Sequence, residues 1–166
     1  MRWDFVKAGL LSCSLLALVA CGGDDDPVFE EINEELDVDI DYFDVDNTSL
    51  FPGEKTEIKW ASEGAAQKFD VHVYVSEDSS LSDDDIEVID EVCSFESDRH
   101  CEAEEDIVFE CRYQSDNHFD CKEDGERLRE TDLTSFLDVL PKSAYLILEL
   151  CNDGDCETEV ERISFN

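Results

Sequence analysis

Basic residues are scarce in this chain. Of its 166 residues, twelve are Lys or Arg and 46 are Asp or Glu, so the formal net charge is −34. A surface this acidic repels nucleic-acid phosphates and anionic headgroups, which argues against nucleic-acid binding. Long apolar runs are missing too. The stretch 8–20 holds thirteen apolar or small residues, short of the ~20 that cross a bilayer as a helix. There is no Cys-x-x-Cys pair, no His-Glu-x-x-His, no Gly-x-Ser-x-Gly and no Gly-rich phosphate loop. The usual marks of zinc sites, thiol redox enzymes, metalloproteases, serine hydrolases and nucleotide enzymes are therefore absent. His72, His100 and His118 are the whole histidine complement. They read as isolated surface residues, with His72 on the solvent phase of a strand and His118 near a hairpin tip. No internal repeat is visible. The acids are spread along the whole chain and read as a solvated, salt-tolerant surface; high salt shortens the Debye length and relieves self-repulsion.

What is present begins with an address. Residues 1–7 are mildly cationic, and the thirteen that follow have the length of a signal-peptide hydrophobic region. Leu18-Val19-Ala20-Cys21 then resembles the lipobox of bacterial lipoproteins. The resemblance implies a signal peptide over 1–20, cleavage before Cys21, and diacylglycerol with further acyl (palmitate-type) chains on that cysteine. Two or more chains anchor stably, whereas one is marginal. Removing residues 1–20 takes away Arg2, Lys7 and Asp4, leaving a mature charge of −35. Residues 21–35 read as an acidic, flexible tether, in which 29–35 has the composition of a fraying helix. Gly22 follows Cys21 where many inner-membrane lipoproteins carry Asp, so the outer membrane is the expected location.

Of eight cysteines, Cys13 leaves with the signal and Cys21 is acylated. Six remain: Cys93, Cys101, Cys111, Cys121, Cys151 and Cys156. An even number in an exported domain favours disulfides. Cys151 and Cys156 flank Asn152-Asp153-Gly154-Asp155, a strong turn signal. Cys111 and Cys121 flank a turn centred on Ser115-Asp116-Asn117. Each pair would face across a hairpin, within bonding reach. Cys93 and Cys101 complete the expected set.

From Leu36 the apolar period becomes two. Leu36, Val38, Ile40 and Tyr42 alternate with Asp37, Asp39 and Asp41, and the phase slips at Phe43 and Val45, the mark of a bulge. Thr56, Ile58 and Trp60 share one face of the next run; Phe69, Val71, Val73 and Val75 share one face of another. Ile86, Val88, Ile89 and Val92 form a weaker strand. Residues 131–140 suit a short helix or a strand, closed by Pro141. Tyr145 to Cys151 is almost continuously apolar, as in a strand buried on both faces. Val160, Ile163 and Phe165 lie on the last strand. The expected fold is all-β, an antiparallel sandwich over 36–166.

Trp60 followed by Phe69, and later Leu140, Pro141, Tyr145, Asn152 and Gly154 in that order, resemble fibronectin type III and related immunoglobulin-like sandwiches. The resemblance covers roughly 36–76 and 131–166. It departs in the spacing of Leu140 and Pro141 and in a long, disulfide-rich middle section, taken as an insertion at about 77–130. Such sandwiches carry many functions.

Catalytic residues, cofactors and metal ligands are not expected. Paired carboxylates are too numerous to single out a glycosidase-type pair. The expected function is a membrane-anchored, non-catalytic binding or structural module with a protein or glycan partner. The alternatives are a calcium-dependent adhesion protein and a carboxylate-based hydrolase. Candidate cation groups are Glu77, Asp78, Asp83, Asp84 and Asp85, or Asp153 with Asp155. Asp37-Val38-Asp39-Ile40-Asp41 starts like a calcium loop, but Tyr42 stands where glycine is needed. Diffuse, weak binding of divalent cations is the plainer expectation.

Overall fold

Alternation of apolar and acidic residues becomes strand along most of the computed structural model, which describes residues 38–64, 68–94 and 106–166. Cys21, the tether, Leu36, His100 and Cys101 lie outside the described residues, as does the acidic segment 29–35. Among the described residues there are ten strands and no helix: β1 (Val38–Val45), β2 (Ser49–Leu50), β3 (Lys55–Gly64), β4 (Lys68–Ser76), β5 (Ile86–Ser94), β6 (Ile107–Tyr113), β7 (His118–Glu123), β8 (Glu126–Asp132), β9 (Lys142–Asn152) and β10 (Asp155–Phe165). They form two five-stranded sheets, ordered β1-β3-β6-β7-β8 and β2-β10-β9-β4-β5. Neighbours are antiparallel, except that the short β2 runs parallel to β10. The fold is an all-β sandwich.

One face of each sheet makes the core. Ile58 and Trp60 of β3, Phe109, Cys111 and Tyr113 of β6, and Phe119 of β7 come from the first sheet. Val71, Val73 and Val75 of β4, Leu146, Leu148 and Leu150 of β9, and Ile163 and Phe165 of β10 come from the second. Full burial of each large apolar side chain stabilises by ~1.5–3 kcal/mol. Phe165 binds the sheets together by edge contacts with Tyr113 and Phe119, at centroid distances of 5.1 and 6.0 Å.

In β1 the register shifts between Ile40 and Tyr42. The extra residue flips the phase, so Val38 and Ile40 share the inner face with Phe43 and Val45. Tyr42, grouped with Ile40 by simple alternation, is on the opposite face. Residues 131–140 are neither a helix nor one strand. β8 ends at Asp132, whose carboxylate accepts the Thr134 N–H at 2.8 Å. A single turn follows, with Leu137 N–H donating to Leu133 O at 2.8 Å. Leu133, Phe136 and Leu137 are buried by it. Too few residues separate β8 from β9 for a helix to repay its nucleation.

The described residues between 77 and 130 are built into the sandwich. β5 and β6 pair with β4 and β3, and β7 and β8 extend the first sheet beyond β6. The β7–β8 hairpin turns on Asp124 and Gly125, both at positive φ, just as β9–β10 turns on Asp153 and Gly154. Two-residue hairpin loops with left-handed backbone at both positions favour Asp-Gly, because glycine has no Cβ to clash there.

Candidate functional site

The outer face of the second sheet gathers the side chains of most chemical interest. In β4 the inner phase is Phe69, Val71, Val73 and Val75, so His72 and Tyr74 point outward. His72 stands opposite Asp90 on β5 and opposite Glu149 on β9; Tyr74 stands opposite Glu87 and Ile147. A register shift between Val73 and Tyr74 sets this arrangement. Simple alternation would place Val88 outward, beside Tyr74. The bulge instead keeps both Val88 and Ile89 in the core and turns Glu87 out.

As a result, His72 Nδ1 lies 3.0 Å from Glu87 Oε1 and 3.6 Å from Asp90 Oδ1. The other Glu87 oxygen pairs with the Arg129 guanidinium, which reaches over from β8 of the first sheet. Thr131 of β8 adds a hydroxyl hydrogen bond to the Glu87 carbonyl at 3.4 Å. Beside this cluster, the Tyr74 hydroxyl donates to Glu149 Oε2 at 3.3 Å. Burial, then the negative charges of Glu149 and Glu87, push the Tyr74 phenol up to about 12. The face thus carries an imidazole, three carboxylates, a guanidinium and a phenol. It can hold a cation; the hydroxyl nearest the imidazole among the described residues is the Tyr74 phenol, which is engaged with Glu149.

His72, read from sequence as an isolated surface residue, is half-buried and sits against two carboxylates. The residues in question are 15 and 18 positions apart and only strand pairing brings them together, so no local motif announces them. His118 does lie by its hairpin tip. Burial opposes its cation, but Asp116 and then Asp132 outweigh this and raise its pKa.

The cysteines take cross-strand positions. Cys111 and Cys121 are register partners in β6 and β7 and are joined by a disulfide, with Cα atoms 4.0 Å apart. Cys151 and Cys156 are register partners in β9 and β10 and are likewise joined, at 4.1 Å. Cys93 is also disulfide-bonded, and its expected partner Cys101 lies outside the described residues. Because Cys151 and Cys156 are bonded to each other, their proximity to Glu149 offers a metal no free thiolate.

Three of the five acidic residues of the 77–85 loop already have partners. Glu77 pairs with Lys142 at 2.5 Å. Asp78 accepts the Ser80 N–H at 2.8 Å and Asp85 the Ser82 N–H at 2.7 Å. Asp153 and Asp155 lie exposed on the β9–β10 turn. Among the described residues neither group gathers three donor side chains around one point. A separate charged cluster lies on β7 and β8, where the buried Asp120 carboxylate meets Arg127 at 3.0 Å and Lys122 at 3.9 Å, and Arg127 also holds Glu130 at 2.7 Å. Its charges are mutually paired.

No protein-family model and no curated protein matches the chain. Among solved structures, it is similar to β-glucosidase from Listeria innocua, alone and in complex with glucose. Both are 12% identical, with TM-scores of 0.39 and 0.40. The similarities cover 79% and 80% of this chain but 16% of each enzyme chain. Overlap this loose and partial says nothing about activity.

Proposed function

We propose that this chain is an exported bacterial lipoprotein, anchored by acyl chains on Cys21, whose sandwich serves as a non-catalytic binding or structural module. The carrying observation is the lipobox-like Leu18-Val19-Ala20-Cys21 upstream of a domain closed by disulfides at Cys111–Cys121 and Cys151–Cys156. Such bonds persist in oxidising compartments outside the cytoplasm. Gly22 favours the outer membrane, and the acidic residues after it keep the domain clear of anionic headgroups. The domain is read as an immunoglobulin- or fibronectin type III-like sandwich. Supporting this, the order β5-β4-β9-β10 follows the C′-C-F-G order of that architecture. Trp60 and Phe69 occupy the core where the resemblance expects aromatic residues. A protein or glycan partner would meet the exposed faces of such a module.

The test is Cys21→Ser. The variant is expected to leave the membrane fraction and to lose incorporation of labelled palmitate. Unchanged membrane attachment overturns the anchor.

A further inference from the structure

We propose that His72, Glu87 and Asp90 form a site for one divalent transition-metal ion of the zinc class. This inference is independent of the lipid anchor: its three ligands come from β4 and β5, with Arg129 of β8 and Glu149 of β9 beside them. One donor atom from each of the three side chains lies within 4.8 Å of the other two. In a tetrahedral zinc site with bonds of ~2.0–2.1 Å, neighbouring ligand atoms are about 3.3 Å apart. The separations of 3.0 and 3.6 Å from His72 Nδ1 to the two carboxylates bracket that value. Small side-chain adjustments bring all three onto one ion.

The donor set selects the kind of metal. Calcium and magnesium take oxygen ligands, whereas an imidazole nitrogen with carboxylates suits zinc and its first-row neighbours. The side chains of His72, Glu87 and Asp90 are 21%, 27% and 56% exposed. Solvent can therefore supply the remaining ligand, as in sites with three protein donors.

Charge and rigidity support the same reading. Around His72, the carboxylates of Glu87, Asp90 and Glu149 set against Arg129 leave two net negative charges, matching a divalent cation. Arg129 reduces the attraction somewhat, but it engages only one oxygen of Glu87 and leaves the other directed at His72. It thus orients a ligand from behind, as outer-shell partners of metal ligands do. His72 and Asp90 are fixed by antiparallel pairing, and Glu87 by the bulge that turns it outward. None of the three depends on a loop.

Calorimetric titration of the untagged chain with zinc chloride at ~0.5 M NaCl, where diffuse binding to the acidic surface is screened, tests the site. One saturable equivalent is expected. His72→Ala should weaken binding by at least about a hundredfold, Asp90→Asn by about tenfold, and His118→Ala not at all. Calcium should not reproduce the saturable phase. Non-saturating heats for the wild type, or equal affinity in His72→Ala, overturn the proposal. Should His72→Ala misfold, the wild type decides by long-range nitrogen NMR of its imidazoles. A zinc-dependent shift confined to His72 supports the site, and a shift at the other histidines alone, or at none, overturns it.

Discussion

Trp60 and Phe69 meet edge to face, with ring centroids 6.4 Å apart and planes at 80°. They lie on β3 and β4, consecutive strands that belong to different sheets, so their contact bolts the sandwich together where the chain crosses over. Trp60 also touches Phe109 of β6 at 6.0 Å and is fully buried. Trp60→Ala should destabilise by ~3–5 kcal/mol, the range for emptying a large aromatic site. Trp60→Phe should cost less. It refills part of the volume and removes an indole N–H that is buried without a hydrogen-bond partner among the described residues. Urea unfolding of both variants measures the difference; equal losses would deny the indole nitrogen any part in it.

The disulfides differ in exposure, and that should govern their chemistry. Cys111 and Cys121 are fully buried, whereas Cys156 is exposed and Cys151 half-exposed. Both close short loops, with sequence separations of 10 and 5, so each contributes roughly 2–3 kcal/mol on the chain-entropy account. Replacing Cys111 and Cys121 by Ala should cost more, since core packing is lost as well. Under mild dithiothreitol, Cys151–Cys156 should open first, with Cys111–Cys121 protected until the domain unfolds. Timed alkylation and mass spectrometry read the order directly.

Alkaline stability follows from the tyrosines. Burial pushes Tyr42 up to about 12, aided by its hydrogen bond to Asp106. Tyr74 is pushed to about 12 as well, and burial also raises Tyr113. Unfolded, these phenols ionise near 10. From pH 10 to about 12 the unfolded chain binds fewer phenolic protons than the folded one, so stability falls with rising pH. It is fully retained below 10. Absorbance at 295 nm should show Tyr42, Tyr74 and Tyr113 titrating late, followed by cooperative unfolding. Ordinary titration of these three in the folded state would contradict the burial argument.

Salt should stabilise this domain. The inner phase of β10 runs from Phe165 and Ile163 into Glu161, Glu159 and Glu157, so the sandwich edge beside β1 adds to the repulsion of a −34 chain. Glu157 is partly satisfied there by the Ile40 N–H at 2.5 Å. The Debye length falls from ~30 Å at 0.01 M to ~3 Å at 1 M. The melting temperature should rise on the order of 5 °C across that range. Scanning calorimetry in sodium chloride checks it, and a flat response would mean the repulsion is already relieved by pairing.

Much of the strand content is written locally. Ile58 and Trp60, and Phe69 to Val75, declare their strands by alternation, because successive side chains of a strand point to opposite faces. The apolar run Tyr145 to Leu150 declares a central strand, and β9 does lie between β10 and β4. Asp153-Gly154 announces the turn that sets Cys151 against Cys156. Asp124-Gly125 carries the same signal for β7–β8 and is equally readable. Residues 131–140 were ambiguous because a short apolar run satisfies helix, strand or plug alike, and only the room left between β8 and β9 chooses.

The sequence alone therefore determined the all-β class, the acidic surface and the positions of several strands and turns, since each depends on residue type and spacing within a few positions. Tertiary structure decided the strand order, the integration of β5 to β8 into the two sheets, and the meeting of His72 with Glu87, Asp90 and Arg129. Those depend on pairing register, on a bulge that shifts one strand by a residue, and on the approach of β8 to β5. All three arise from contacts between distant segments, whose energies no local pattern encodes.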